Sequence, residues 1–531
     1  MKSLFCVLIL CLAFLHPRLL LAHDSPKKQP LLSDVSRLGT VNLTSSCQLK
    51  AQESLNQGAA LLHHMMYRQA ELHFRDALAN APECAMLHWG LAMSQFNPLW
   101  PTRPSEEEIQ RATHQLNKAQ LIDNVSSRER AYLNAVKLFF KNAQTLTHQQ
   151  RLVLWHDAQQ KLANQYPDDP DAIALYALAM LATAPKGDRD FKVQSAAAVL
   201  LEKLYAQYPT HPGVIHYSIH AYDNPLLAKR GQQIARAYDK IAPDVPHALH
   251  MPTHIFVRTG SWQDVASWNI RSAKAALKYP AGNGVSMHYP HAVDYLVYAY
   301  MQMGDEANAR RIIDEMNQYQ HIQPVFPAGF GIASARARYL LEGRHWQQAG
   351  ELALNQPIGF PWKKFPHVEA IIHFARGVGA ARSGNMAGAK ASLTALTQLQ
   401  EETVTLGRAY WAVIVNAQRL TVAAWLAYAE NNTTRAMKLM QQAATIEDSV
   451  DKNPVTPGAV LPARELLADM AMLAQRYDEA IAAYQAVLVL SPNRLNSLKG
   501  LAAAYTAQGD EAKAAYFRQR IAQNLIAASA P

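Results

Sequence analysis

Residues 478–493 read DEAIAAYQAVLVLSPN, and their spacing decides the fold. A small residue at Ala480 and an aromatic at Tyr484 lie one helical turn apart, and Pro492 follows where a helix would have to stop. Just upstream, Leu467 and Ala468 pair a large residue with a small one on a preceding amphipathic stretch. The pattern returns about 34 residues later at Leu501, Ala502, Tyr505, Gly509 and Ala514. The same frame stands near the start, at Gly58, Leu61, Tyr67, Ala70, Phe74, Ala77 and Pro82. Small residues let two helices approach closely, large ones fill the gap, and proline closes the pair.

These residues resemble the tetratricopeptide repeat family. The resemblance covers most of residues 47–525 and implies an all-α solenoid of roughly nine or ten helix pairs. Such hairpins cannot bury their apolar faces alone, so they stack into a superhelix with a concave inner surface. The hairpin glycine recurs at Gly260, Gly304, Gly343 and Gly384, and insertions are expected at 98–125 and 280–289. We divide the chain into a leader (1–22), a polar tether (23–46), N-terminal repeats (47–211), central repeats (212–304) and C-terminal repeats (305–531).

The leader has a positive Lys2, an apolar run from Leu4 to Phe14, and Leu19-Leu20-Leu21-Ala22 before the polar HDSPKKQP. That is the layout of an export signal cleaved near Ala22, which predicts a periplasmic or secreted protein. No other stretch reaches the ~18 uninterrupted apolar residues of a membrane span. Cleavage leaves only Cys47 and Cys84, which are expected to form one disulfide in an oxidising compartment. Cleavage would also expose His23 as an N-terminal copper chelator. The net charge of +9 is spread over helical segments with no basic run, so nucleic acid is not expected as a partner.

The stretch from His211 to Asp294 is unusual in composition. It contains HPGVIHYSIHAYDNP, PHALHMPTHIFVRTGSW and HYPHAVDY, with eight of the 21 histidines. Each unit can be numbered so that its loop glycine is position 15. Pro246 is then position 1, with His247, His250 and His254 at positions 2, 5 and 9. In the preceding unit His216 and His220 take positions 5 and 9; in the following one His291, Asp294 and Tyr298 take 2, 5 and 9. Those positions form one helical face, and in tetratricopeptide proteins that face looks into the groove. Later units place Phe330, Ala333 and Ala337, then Ile371, Phe374 and Val378, at the same positions.

Neutral imidazole is the commonest protein ligand for zinc, copper and iron. His216, His220, His247, His250, His254, His291 and Asp294 are therefore candidate ligands for a divalent transition metal. Asp223 and Tyr298 are candidate ligand contacts or hydrogen-bond partners that orient the rings. Pro252 interrupts the central helix and could turn His254 aside. A pocket for a carboxylate or peptide and plain structural hydrogen bonding are the competing readings of the cluster. His63 and His64 are expected at a helix end near the surface. The chain carries no HExxH, CxxC, nucleophile elbow or phosphate loop. The expected function is an exported scaffold binding a peptide, protein or small ligand in its groove, with a histidine-rich and metal-loaded centre; a metal-dependent enzyme using the same histidines is the alternative. The blocks HYSIHAYDNPLLAKR and HALHMPTHIFVRTGSW are similar to a group of exported bacterial tetratricopeptide proteins, a resemblance that implies fold and export and no catalytic residue.

Overall fold

The computed structural model describes residues 37–100, 103–185 and 187–528. The leader, His23 and most of the polar tether lie outside the described residues. The rest is an all-α solenoid of the tetratricopeptide type, with consecutive helices paired antiparallel from Leu49–His63 and Tyr67–Asn80 to Leu495–Ala507 and Glu511–Ala528. Among the described residues there is no strand, only isolated bridges at Ala281–Gly284 and Val285–Ile322. No described helix is long and apolar enough to cross a membrane.

Local sequence accounts for several helix boundaries. Pro212, Pro246, Pro366 and Pro170 each open a helix, where the missing N–H costs nothing. The expected insertion at 98–125 contains a further helix, Glu106–Gln120, packed beside Ala85–Met93. Its start is a capping box in which Ser105 and Glu108 bond each other's backbone N–H.

One expectation needs correction. Residues 37–46 do not hang free: Leu38, Val41 and Leu43 are buried, and Thr40 N–H donates to the Thr210 carbonyl at 2.9 Å. Spaced apolar residues within a polar stretch let this segment bury one side against the repeats. At the third hairpin glycine, Gly343 is right-handed, and the left-handed turn falls on Arg344 (φ 57°), whose guanidinium is held by Glu465 and Asp469. Gly260 is left-handed (φ 67°), and a Cβ there would lie 2.3 Å from the Pro492 carbonyl oxygen.

That contact reports the tertiary arrangement. The apolar core runs in two overlapping stretches, Leu38 to Tyr279 and Phe256 to Phe517, which meet at the central repeats. The superhelix then brings its C-terminal repeats against the central ones. Trp262 Nε1 donates to the Asn493 carbonyl at 2.9 Å, and Leu495 N–H donates to Gln302 Oε1 at 2.8 Å. The connection 449–462 enters the concave side: Arg258 pairs with Asp451 at 2.7 Å, Lys452 with Asp223 at 2.9 Å, and Arg338 donates to the Ala459 carbonyl at 2.7 Å. Cys47 and Cys84 are disulfide-bonded, tying the start of the solenoid to the helix Ala85–Met93.

Candidate metal centre

Four helices supply the central imidazoles. Pro212–Tyr222 carries His216 and His220; the pair Pro246–His250 and Pro252–Thr259 carries His247, His250 and His254; His288–Gln302 carries His288 and His291. Pro252 does split its helix, yet Met251 at the junction keeps right-handed helical angles. The Thr253 hydroxyl donates to the His250 carbonyl at 2.6 Å, bridging the two halves of the split helix. His254 therefore stays on the side of His250.

The rings form a continuous contact network. Centroids are 4.9 Å apart for His216 and His220, 5.0 Å for His216 and His247, 5.0 Å for His250 and His254, and 4.3 Å for His250 and His291. His250, His254 and His291 come together most tightly, each offering a ring nitrogen within 4.8 Å of the other two.

The hydrogen bonds set the tautomers of two of these rings. Asn269 donates its Nδ2 to the Val265 carbonyl at 2.9 Å, so its Oδ1 faces His250 and accepts from Nδ1–H at 2.7 Å. Asp223 can only accept, so His254 Nδ1–H donates to Oδ2 at 2.9 Å. Both Nε2 atoms are then lone pairs, and they face each other at 3.1 Å. The Nδ1 of His291 is buried without a partner. An ion about 2.1 Å from each Nε2 would see the pair at about 95°, between octahedral and tetrahedral angles. A ring fixed through Nδ1–H by a carboxylate or amide is the usual support of a metal-bound histidine.

Burial dictates the charge of the cluster. It pushes His216, His247, His250 and His291 well below the ordinary imidazole range, with neighbouring histidines acting in the same direction. His220 falls to about 3 and His288 to about 4, again chiefly through burial. Burial also lowers His254, against the opposing effect of its hydrogen bond to Asp223. Burial alone would raise Asp223, but Lys452, Arg258 and His254 together hold it well below the usual carboxylate range. The imidazoles are thus neutral at pH 7, the form that binds metals.

A second grouping, His63, Asp171 and His211, shows the contrast. Tyr217 hydroxyl lies 2.9 Å from His63 Nδ1, and Val214 N–H donates to His211 Nδ1 at 3.3 Å. The two Nε2–H groups are left to donate to Asp171 Oδ1, at 2.8 and 3.2 Å. Its imidazoles are satisfied by protein alone. His63 and His64 are buried rather than at the surface, because the superhelix lays the first repeat against Pro212–Tyr222, where the His63 carbonyl accepts from His216 Nδ1 at 2.7 Å.

The remaining sequence candidates lie apart from the three-histidine set. Asp294 Oδ1 accepts from Arg338 Nε at 3.0 Å, and the Tyr298 hydroxyl accepts from Arg494 at 3.2 Å. Both meet this chain's own arginines, Arg338 from the neighbouring helix Phe326–Glu342 and Arg494 from the C-terminal repeats. Asp223 acts through His254. His216 and His220 each keep a buried Nε2 without a partner, and His247 keeps both ring nitrogens so. Sequence reasoning missed Asn269, Lys452 and Tyr295. The Tyr295 ring sits 4.5 Å from His250 and its hydroxyl donates to the Pro454 carbonyl at 3.2 Å. Its spacing of four from His291 was a usable signal, whereas Asn269 and Lys452 come from other helices or repeats and carry none.

No family model matches the chain, and no curated protein matches it. Among solved structures the chain is similar to the human IFIT1 dimer with m7Gppp-AAAA, at 12% identity over 84% of this chain and 90% of that one, TM-score 0.37. It is also similar to the APC/C hetero-tetramer Cut9-Hcn1, at 12% identity over 91% and 97%, TM-score 0.27. A third likeness is to a signal-transduction ATPase with a tetratricopeptide repeat sensor from Pyrococcus horikoshii, at 13% identity over 86% and 65%, TM-score 0.30.

Proposed function

We propose that this protein is an exported metalloprotein whose solenoid holds one divalent transition metal on His250, His254 and His291. The observation that carries the reading is the approach of two Nε2 lone pairs to 3.1 Å, each ring fixed by Nδ1–H donation. Two buried acceptors face to face repel and satisfy nothing. A cation between them removes both penalties. Three imidazoles leave at least one coordination position for water or substrate, the composition of catalytic rather than four-ligand structural zinc sites. Zinc, copper and iron all accept this donor set. Export is supported by the leader sequence and by the disulfide.

A second reading, a peptide-binding scaffold, is favoured by one observation. The concave surface already accommodates an irregular peptide, the chain's own 451-DKNPVTPG-458, through Arg258, Asp223, Tyr295 and Arg338. On that reading a partner segment would displace or extend it.

Elemental analysis of protein purified without an affinity tag tests the metal centre. One equivalent of metal is expected, lost in the His250→Ala/His254→Ala variant and retained in His63→Ala. Absence of stoichiometric metal, together with no thermal shift on adding zinc, copper or iron salts, defeats the proposal.

A further inference from the structure

A cavity of about 130 Å³ lies toward the C-terminal repeats, away from the three-histidine set. One wall comes from Phe326–Glu342, Pro366–Arg382 and Ala409–Ala429, and the other from the connection 450–462 and the end of Tyr477–Leu490. Phe330, Ile371 and Phe374 line it. These occupy the same register positions, 2 and 5, that carry imidazoles in the central repeats. The concave surface thus changes along the solenoid from imidazole-lined to aromatic and aliphatic. Trp411 completes the apolar wall, its ring 5.3 Å from Phe330 and 5.2 Å from His367.

The charged groups around this cavity are already spent on one another or on neighbours. Arg258 pairs with Asp223 and Asp451, Lys452 pairs with Asp223, and Arg464 pairs with Asp448. Glu447 accepts from Ala463 N–H at 2.7 Å, and burial, which disfavours its ionised form, raises it to about 7. An anionic ligand would find no free cation here, and burial holds Glu447 toward its neutral form, so a cation gains no full counter-charge for the hydration it loses. A planar apolar ring, by contrast, meets aromatic side chains that favour stacked or edge contacts. The volume is close to that of an engineered protein cavity, about 150 Å³, that takes benzene.

We infer that this cavity binds a neutral, single-ring aromatic molecule, at a site separate from the metal centre. Arg258 and Lys452, which line the cavity, also bond Asp223, so the two sites are neighbours through these side chains.

The test uses 4-fluorophenol as a neutral probe, with 4-fluorobenzoate and 4-fluorobenzylamine as charged isosteres, observed by fluorine NMR against the full chain. Chelator-treated protein is used first, so that the result does not depend on the metal. Saturable binding of the phenol is expected, with both ions weaker by about tenfold or more. The Ala486→Phe variant fills the cavity from an alanine on its wall, and its thermal unfolding confirms folding; in it the phenol signal is expected to lose saturation. The inference is overturned if the phenol does not saturate, if either ion binds as well as the phenol, or if folded Ala486→Phe binds the phenol as the parent does.

Discussion

Replacing Asp223 by asparagine is the most informative single perturbation. The side chain keeps its size and loses its charge. In the folded protein this carboxylate accepts from His254 Nδ1, Arg258 Nε and Lys452 Nζ, each at 2.9 Å, and its side chain is only 5% exposed. Without it, Arg258 and Lys452 are left buried with Asp451 as their remaining counter-charge. Uncompensated buried charge of this kind costs about 3–5 kcal/mol. Asp451→Asn is the control, because its side chain is 26% exposed and Arg258 keeps Asp223; about 1 kcal/mol is expected there. Urea unfolding of metal-free protein by circular dichroism reads both values. The folded Asp223 titrates well below its ordinary value, so its contribution is fully present above about pH 3.9 and is lost as pH falls through the folded value. Parent and variant curves should therefore converge in strong acid. Because Asp223 also orients His254, metal affinity measured by chelator competition should drop about 10–100-fold. An Asp223→Asn protein as stable as the parent at pH 7, with unchanged metal affinity, would refute the reasoning.

Two further outcomes follow from burial and backbone geometry. Because burial lowers the folded histidines, the unfolded chain takes up protons below about pH 6.5 while the folded one resists, to about 4 at His288 and about 3 at His220. Stability of the metal-free protein should fall through that window by up to about 1.4 kcal/mol per pH unit for each histidine, and metal should move the acid transition lower. Far-UV circular dichroism across pH checks this, and a flat profile down to pH 4 contradicts it. Gly260→Ala should destabilise by about 1–3 kcal/mol, since φ is 67° and the added Cβ meets the Pro492 carbonyl. Thermal unfolding measures that loss, and an unchanged transition would mean that the central and C-terminal repeats do not meet as described.

The resemblance at both ends of the chain was enough to state the all-α solenoid, because the small, large and proline positions of each repeat are local requirements of one helix pair. The same frame put the central histidines on one helical face. It missed Glu106–Gln120, whose capping box was legible, and it left His63 and His64 on the surface. It also grouped Asp294 and Tyr298 with the histidines, since register says which face a residue occupies and not what stands opposite.

What the sequence determined by itself is therefore periodic and local: the helix pairs, their proline starts and the imidazole-bearing positions. Tertiary structure alone decided which three histidines converge, that Asn269 and Asp223 set the tautomers of His250 and His254, and that Asp451, Lys452 and Arg338 close the groove. The physical reason lies in range. Helical spacing relates residues three or four apart, whereas the curvature of a superhelix brings Asp223 to Lys452 and Gly260 to Pro492. Contacts of that separation leave no trace in local spacing.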